Sequence, residues 1–167
     1  FAWSVDETIT WVAQNKQGRG IVVRANGYQP VEVSTAAIES IIQGYDDISD
    51  TIGWAYQENG NRHTVFTFPS ADHTWVIDNK TTLWHERGYW DVLTGTNQAY
   101  RPVCVMVAFD KIIVGDRLTG KLYEMSSVFQ TDVDLSMIRR VRQPPRFSVE
   151  QRRVTMNSLQ LVMDVGQ

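Results

Sequence analysis

Short runs of β-branched and aromatic residues alternate with polar residues along most of the chain. This two-residue period predicts strands, and loops with Gly, Asn, Asp or Pro separate them every few residues. The predicted strands span 8–13, 20–25, 30–35, 53–58, 62–68, 73–78, 82–87, 103–109, 111–116, 121–126 and 154–165. Residues 88–102 are interpreted as mostly loop. The pattern predicts an all-β fold of antiparallel hairpins, for which propellers, sandwiches and barrels are all candidates.

One segment, residues 35–44, has the period of a helix instead. Four apolar residues fall on one face of this predicted helix: Ala37, Ile38, Ile41 and Ile42. Ser34 or Thr35 can cap its start, and Gly44 can end it. It is the one helix that the sequence predicts.

Two segments, 76–86 and 114–124, are similar to each other. Equivalent residues are separated by 38 positions: Asp78 and Asp116, Thr81 and Thr119, Glu86 and Glu124. An offset near forty residues is typical of a four-stranded propeller blade. In each copy we expect the Asp carboxylate to accept backbone N–H groups of a turn, where Gly120 allows a positive φ. A generic hairpin motif is the alternative explanation. The sequence therefore favours propeller-like blades, with superposable hairpins at these two positions.

Length and composition indicate one folded unit with its own core. The chain has 167 residues, 43% of them hydrophobic, and a formal net charge of −3. No apolar run reaches the length of a membrane span. The single cysteine, Cys104, lies in the apolar run "PVCVMVAF" and is predicted to be a buried thiol, which favours a reducing compartment. The chain begins at Phe1 inside a strand-like sequence and ends at Gln167, so we expect it to be a piece of a longer protein.

Two patterns in the sequence resemble ligand sites, but each lacks features that such a site needs. The stretch "GDRLTGKL" contains the glycines and lysine of a phosphate-binding loop, but Leu122 stands where Ser or Thr would hold Mg²⁺, and a strand is predicted to follow. The spacing of His63, His73 and His85 matches no local zinc pattern. Convergence of the three histidines on a metal stays an alternative. We expect each ring to pack among aromatic residues.

Carboxylates cluster in two polar stretches. The first contains Asp46, Asp47 and Asp50, and the second contains Asp132 and Asp134. A glycosidase needs two carboxylates across a cleft, but aspartates in such positions are usually solvated loop residues. We therefore expect no catalytic residue, no cofactor and no metal site.

Residues 74–90 hold three of the six tryptophans of the chain. Alternation along the predicted strand places Trp75 and Ile77 on one face, and Val76 and Asp78 on the other. Trp84 follows on the returning strand. Aromatic residues on paired strands are typical of sheet packing, so the stretch is interpreted as a sheet interior.

The C-terminal part, residues 131–167, is predicted to be an Arg-rich extended segment and a terminal strand, after a propeller-like β region over 1–130. Six arginines fall within 139–153, where Glu150 is the only acidic residue: Arg139, Arg140, Arg142, Arg146, Arg152 and Arg153. We predict that these residues face a partner, with an acidic protein surface favoured over DNA because the whole chain is acidic. The alternative is a solvated loop that pairs with the chain's own acidic residues.

Several stretches together resemble a known family, the packaged-DNA stabilisation proteins of short-tailed bacteriophages. They are "FTFP" after His63, "TWVID" at 74–78, "LWHERGYW" at 83–90, "VGDRLTGKLYEM" at 114–125 and "GYQPVEVSTAAIES" at 27–40. The resemblance implies a longer, β-propeller-like structural protein of the phage tail hub, without catalytic residues.

This resemblance also implies where the protein acts and with what. It implies a homo-oligomeric ring between the portal and adaptor rings and the tail needle, in a virion tail assembled in the bacterial host cytoplasm. In that position, the resemblance implies, the protein would plug the head–tail channel and stabilise packaged DNA. The competing hypothesis is a β-propeller module that binds or hydrolyses glycans.

Overall fold

Antiparallel strands dominate the structure. The computed structural model describes residues 2–5, 8–18, 20–132 and 135–143, together with residues 155, 157, 158 and 160. The strands of this described part are β1 (Ala2–Val5), β2 (Thr8–Gln14), β3 (Gly20–Asn26), β4 (Gln29–Glu32), β5 (Ile52–Glu58), β6 (Asn61–Phe68), β7 (His73–Asp78), β8 (Trp84–Glu86), β9 (Gly88–Asp91), β10 (Thr96–Ala99), β11 (Pro102–Ala108), β12 (Lys111–Asp116) and β13 (Leu122–Met125). One α-helix, α1 (Ala36–Ile42), and one short 3-10 turn (Pro69–Ala71) accompany them.

The strands form a series of meanders in chain order. A first sheet contains β1 to β4, a second sheet contains β5 to β8, and a third sheet contains β11 to β13. A separate β9–β10 hairpin lies between the second and third sheets in the chain. Strand β5 contacts both β1 and β11, so the second sheet lies between the other two. The prediction of an all-β fold of antiparallel hairpins is confirmed, and the succession of meanders is the arrangement of propeller-like blades.

The second sheet is buried on both faces. Phe66, Phe68 and Ile77 point towards the first sheet, where they form a core with Val22 and α1. Their neighbours point the other way: Trp54, Tyr56, Val65 and Val76 form a second core with Val114 of the third sheet. Successive side chains of a strand alternate between faces, so one run of residues contributes to two cores.

Helix α1 closes the first core. Thr35 caps the helix by accepting the N–H of Ile38 at 3.4 Å, as the sequence predicts. Ile38 and Ile42 are buried, whereas Ile41 is 39% exposed and Ala37 is also exposed. The prediction of a four-residue apolar face is therefore wrong in part, because two turns of helix bury only a narrow stripe. A side chain at Gly20 would place its Cβ 2.5 Å from Cγ2 of Ile42, so the helix needs a glycine at the start of β3.

The two similar segments form the same turn. Asp78 Oδ1 accepts N–H groups two and three residues ahead, and Asp116 accepts the same two through its carboxylate oxygens. The N–H of Thr82 donates to the Asp78 carbonyl, and the N–H of Gly120 donates to the Asp116 carbonyl. Thr82 has a φ of 59° and Gly120 has a φ of 66°. The predicted equivalence is confirmed at the turn, and each copy connects the last two described strands of its sheet.

A third copy of this turn lies where the sequence was interpreted as loop. Residues 91–95, "DVLTG", match "DRLTG" at 116–120, and they connect β9 to β10. Asp91 Oδ1 accepts the N–H of Leu93 at 2.9 Å, Asp91 Oδ2 accepts the Thr94 hydroxyl at 2.8 Å, and Gly95 has a φ of 68°. The interpretation of 88–102 as mostly loop is therefore wrong. This turn therefore connects strands both within the blades and in the separate β9–β10 hairpin.

Cys104 is exposed, which corrects the prediction of a buried thiol. Strand β11 is an edge strand of the third sheet, and its side chains alternate between the second core and the outer face. Val105 packs against the second core, whereas Cys104 and Met106 point outwards, where no described residue covers them. An apolar run on an edge strand does not reveal that only one of its faces is covered.

Asp116 makes the most extensive polar contacts of these turns. Its side chain is 2% exposed and forms an ion pair of 2.5 Å with Arg101. It also accepts the N–H groups of Leu118 and Thr119 and the hydroxyl of Thr119. These donors hold the pKa of the Asp116 carboxyl far below its usual range, with Arg101 as the largest cause.

We expect Asp116→Asn to destabilise the fold much more than Asp78→Asn. The first change leaves the buried Arg101 guanidinium without its counter-charge, which costs about 3 kcal/mol. Asp78 is partly exposed and an Asn keeps the turn's acceptor, so the matched change costs about 1 kcal/mol or less. Urea unfolding of both variants measures the difference. Equal losses would show that Arg101 contributes nothing beyond the turn.

The contribution of Asp116 depends on pH in a defined direction. Since the folded-state pKa is depressed, the stabilisation is complete above the unfolded pKa of about 4 and is lost as pH falls below it. The difference in unfolding free energy between wild type and Asp116→Asn should therefore shrink by about 1 kcal/mol between pH 4 and pH 3. Urea titrations at pH 7, 4 and 3 measure it. A constant difference would contradict the assigned cause.

Candidate partner-binding surface

The arginine segment, residues 137–142 with the sequence "MIRRVR", lies on the surface. Arg139, Arg140 and Arg142 are exposed, as the sequence predicts. No ion pair joins any of these three to a carboxylate among the described residues. The alternative of a loop that neutralises itself therefore finds no support at these three positions. The other three predicted residues, Arg146, Arg152 and Arg153, lie outside the described residues, as does most of the predicted strand 154–165.

Local backbone contacts order the chain between β13 and the arginines. Thr131 and Met137 form an isolated antiparallel bridge, and the N–H of Ile138 donates to the carbonyl of Gln130 at 3.1 Å. The Arg139 guanidinium lies 4.1 Å from the centre of the Trp90 ring. Such a contact is an attraction between the cation and the face of the ring. The segment therefore has a defined path although its guanidinium groups face solvent.

Apolar side chains alternate with these arginines. Met137 is 80% exposed, Val141 is 75% exposed and Ile138 is 43% exposed. Arginine and methionine are enriched at protein interfaces, where the aliphatic stems and thioethers bury apolar area and the guanidinium groups pair with carboxylates. The stretch "MIRRVR" thus has the composition of a protein-binding surface rather than of a solvated loop.

A cleft of about 620 Å³ opens beside the segment, between the β9–β10 hairpin and the third sheet. Arg139 and Arg140 line one side of it, and three tyrosines also line it: Tyr89, Tyr100 and Tyr123. Arg87 lies over the rings of Tyr56 and Tyr100, at 5.3 and 5.9 Å from their centres. The arginine segment and the cleft form one continuous surface of arginines, aromatic rings and acidic side chains.

Several acidic groups of the cleft have partners within the chain. Glu124 pairs with Lys111 at 2.6 Å, Asp116 pairs with Arg101, and Glu86 contacts the His73 ring at 2.9 Å. Arg87, Arg139 and Arg140 line the cleft and hold no carboxylate among the described residues. The lining also includes Glu58 and Asp132, so the cleft carries charges of both signs.

The histidines do not converge. His63 and His85 share one face of the second sheet, with ring centres 6.2 Å apart, whereas His73 stacks on Tyr45 at the opposite face. Desolvation and the nearby Arg87 charge lower the pKa of His85 to about 4 and lower the pKa of His63. Within the described part of the chain, no three His, Cys, Asp or Glu residues are grouped as metal ligands.

The acidic clusters are also apart. Asp46, Asp47 and Asp50 lie in the connection between α1 and β5, away from the cleft, where Asp50 accepts the N–H and hydroxyl of Ser70. Asp132 lines the cleft, and Asp134 lies outside the described residues. The phosphate-loop-like stretch leads into strand β13 and not into a helix. These positions give no pair of carboxylates across one cleft.

The aromatic stretch 74–90 is a sheet interior for two of its three tryptophans. Trp75 and Trp84 pack on the first core, and their indole N–H groups donate to the Tyr45 hydroxyl at 2.9 Å and to the Val33 carbonyl at 3.1 Å. Trp90 lies instead on β9, under Arg139. Sequence reasoning missed this role because it treated residues 88–102 as loop, and the repeated "D-x-L-T-G" turn was the signal that could have placed Trp90 on a strand.

Comparison with known proteins agrees with this arrangement of blades. Residues 2–130 match the family model described as "Bacteriophage P22 Gp10, beta-propeller". No match was found among curated proteins. Among the described residues, no helix is long and apolar enough to cross a membrane. The family match covers all three sheets and the β9–β10 hairpin, and it ends just before the arginine segment. The chain therefore belongs to the family of phage DNA-stabilisation proteins with a β-propeller fold.

Proposed function

We propose that this chain is a structural component of a phage or prophage tail hub, where it plugs the head–tail channel and stabilises packaged DNA in the capsid. Membership of the DNA-stabilisation family is the observation that carries this proposal. The propeller-like blades agree with a structural role, since the second sheet, buried on both faces, holds the first and third sheets in one unit. The protein would act in the virion tail, after assembly in the host cytoplasm.

The proposed partners are the portal and adaptor rings and the tail needle, and the arginine segment is the proposed contact. Three exposed arginines that hold no carboxylate among the described residues, with exposed apolar residues beside them, suit an acidic protein surface. Direct DNA contact by this segment is less favoured because the chain carries a net charge of −3. No enzymatic activity is part of the proposal.

Replacement of Arg139, Arg140 and Arg142 by Ser should weaken incorporation of the protein into tails without unfolding it. All three are exposed and hold no described carboxylate, so the change should cost less than about 1 kcal/mol of stability. Quantifying the protein in purified particles measures incorporation, which should fall at least about tenfold if several interfacial charge pairs are lost.

A matched control removes the same charge elsewhere. Lys16 and Lys121 are exposed and lie outside the arginine segment and the cleft, so their replacement by Ser should leave incorporation near the wild-type level, whereas loss of the two charges at Arg139 and Arg140 should lower it. Normal incorporation of the arginine variant would make the segment a brace of its own chain. Equal losses in both variants would point to a general effect of net charge.

We expect the working form to be a homo-oligomeric ring. A hub must match the symmetry of neighbouring rings, and rings use head-to-tail interfaces. The outer face of the third sheet also exposes apolar area, with Met106 54% and Leu122 67% exposed, beside the edge strand β11. Light scattering at high concentration should therefore give a mass above that of one chain. A strict monomer would count against this expectation.

The competing function is a glycan-binding or glycan-hydrolysing module. The cleft with its three tyrosines is the feature that favours it, since aromatic rings stack on sugars. Incubation of the purified chain with host surface polysaccharide separates the two functions. We expect no release of oligosaccharides, and detectable hydrolysis would overturn the structural proposal.

A further inference from the structure

A second pocket, of about 490 Å³, lies between the first and second sheets, apart from the cleft. It lies further along β3 than the residues that contact α1. Val22 belongs to the first core, and Arg24, the next residue on the same face, lines the pocket. The interface between the two sheets therefore changes from apolar to polar within one pair of residues. Its lining includes Thr10, Arg24, Gln57, Arg62, Asn79 and Lys80.

A neutral amide holds the Arg24 guanidinium in place. Nη2 of Arg24 donates to Oδ1 of Asn79. Asn79 is fixed in turn, because its Nδ2 donates to the Thr64 hydroxyl at 2.9 Å and its backbone N–H donates to the Arg62 carbonyl at 2.7 Å. The guanidinium is thus oriented before any ligand binds, which reduces the entropy lost on binding.

The pocket lacks negative charge among the residues that the structure describes. No described carboxylate lines it, and none forms an ion pair with Arg24. Arg24 is half-buried, and burial lowers its pKa. Charged groups removed from water are normally paired. Arg24 holds no described carboxylate and Lys80 lines the same pocket, so the pocket offers two positive charges to an anion.

We propose that this pocket binds a phosphate group, either free phosphate or the backbone phosphate of a nucleic acid. The planar fork of Arg24 matches two phosphate oxygens, and Lys80 adds a point charge. The Thr10 hydroxyl and the Gln57 amide supply further donors along the wall. The proposal rests on the pocket's own residues and goes beyond the tail role proposed above, since no ring partner enters it.

Thermal unfolding in sodium phosphate tests this, with sodium chloride at the same ionic strength as reference. A ligand that binds only the folded state raises the melting temperature as its concentration exceeds its dissociation constant. We expect phosphate to stabilise the wild-type chain more than chloride does. Arg24→Gln should weaken the apparent phosphate affinity at least about tenfold, because a charge-assisted contact is lost.

Two further variants keep the test decisive if Arg24→Gln does not fold. Lys80→Gln changes an exposed side chain of the pocket and should weaken phosphate binding about threefold or more. Lys121→Gln changes an exposed lysine outside the pocket and should leave binding unchanged. The proposal is overturned if phosphate stabilises no more than chloride, or if Lys80→Gln and Lys121→Gln bind phosphate equally well.

A DNA-binding measurement distinguishes free phosphate from the backbone phosphate of a nucleic acid. Fluorescence anisotropy of a short labelled DNA duplex measures binding, with competition by free phosphate and with the Lys80→Gln variant. Binding that depends on Lys80 and is competed by phosphate supports a backbone ligand. Phosphate binding without duplex binding supports a free anion. Duplex binding that persists unchanged in Lys80→Gln would contradict a role of this pocket in it.

Discussion

Two-sided burial of the second sheet is the constraint on which the rest of the structure depends. Val65 and Val76 face the third sheet, while their neighbours Phe66 and Ile77 face the first sheet and α1. A shift of one residue in strand pairing would exchange the two sets of side chains between cores of different shape. The buried hydroxyl pair of Thr67 and Thr74, 3.1 Å apart, also forms only in this register. The second sheet therefore fixes the positions of both neighbouring sheets.

Those positions decide which polar groups the structure leaves available. Arg101 is held by the buried Asp116 and stabilises the third sheet, so it has no charge to offer a partner. Among the described residues, Arg139 lies over the face of Trp90 and Arg24 donates to the amide of Asn79, and neither pairs with a carboxylate. Arginine is thus a structural element at Arg101 and a proposed binding group at Arg139 and Arg24. Burial together with a carboxylate partner makes the difference.

The strands of the three sheets could be predicted from the sequence because each has a clear two-residue period. The strand at 73–78 is an example. The cap at Thr35 and the equivalence of the turns at Asp78 and Asp116 could also be predicted from the sequence. The β9–β10 hairpin could not be found by period, since its strands, "GYWD" and "TNQA", show no alternation of apolar and polar residues. Its turn sequence contained the signal, but only in comparison with the other copies.

Charge and exposure were harder to predict than strands. Exposure of the arginines at 139–142 follows from composition, since guanidinium groups without nearby acids are poorly suited to a core. Exposure of Cys104 does not, because it depends on the absence of a covering layer over one edge strand. The pocket at Arg24 joins residues from β2, β3, β5, the β5–β6 turn, β6 and the β7–β8 turn. Only the packing of two sheets brings such distant residues together.

The central claim is that this chain is a structural part of a phage tail that contacts its neighbours through the arginine segment. A cryo-electron microscopy map of assembled tails tests it most directly. The account predicts propeller-like density of this chain at the junction of head and tail, with residues 139–142 against acidic side chains of another protein. Density elsewhere in the particle, or a segment 139–142 that faces solvent in the assembled tail, would contradict it.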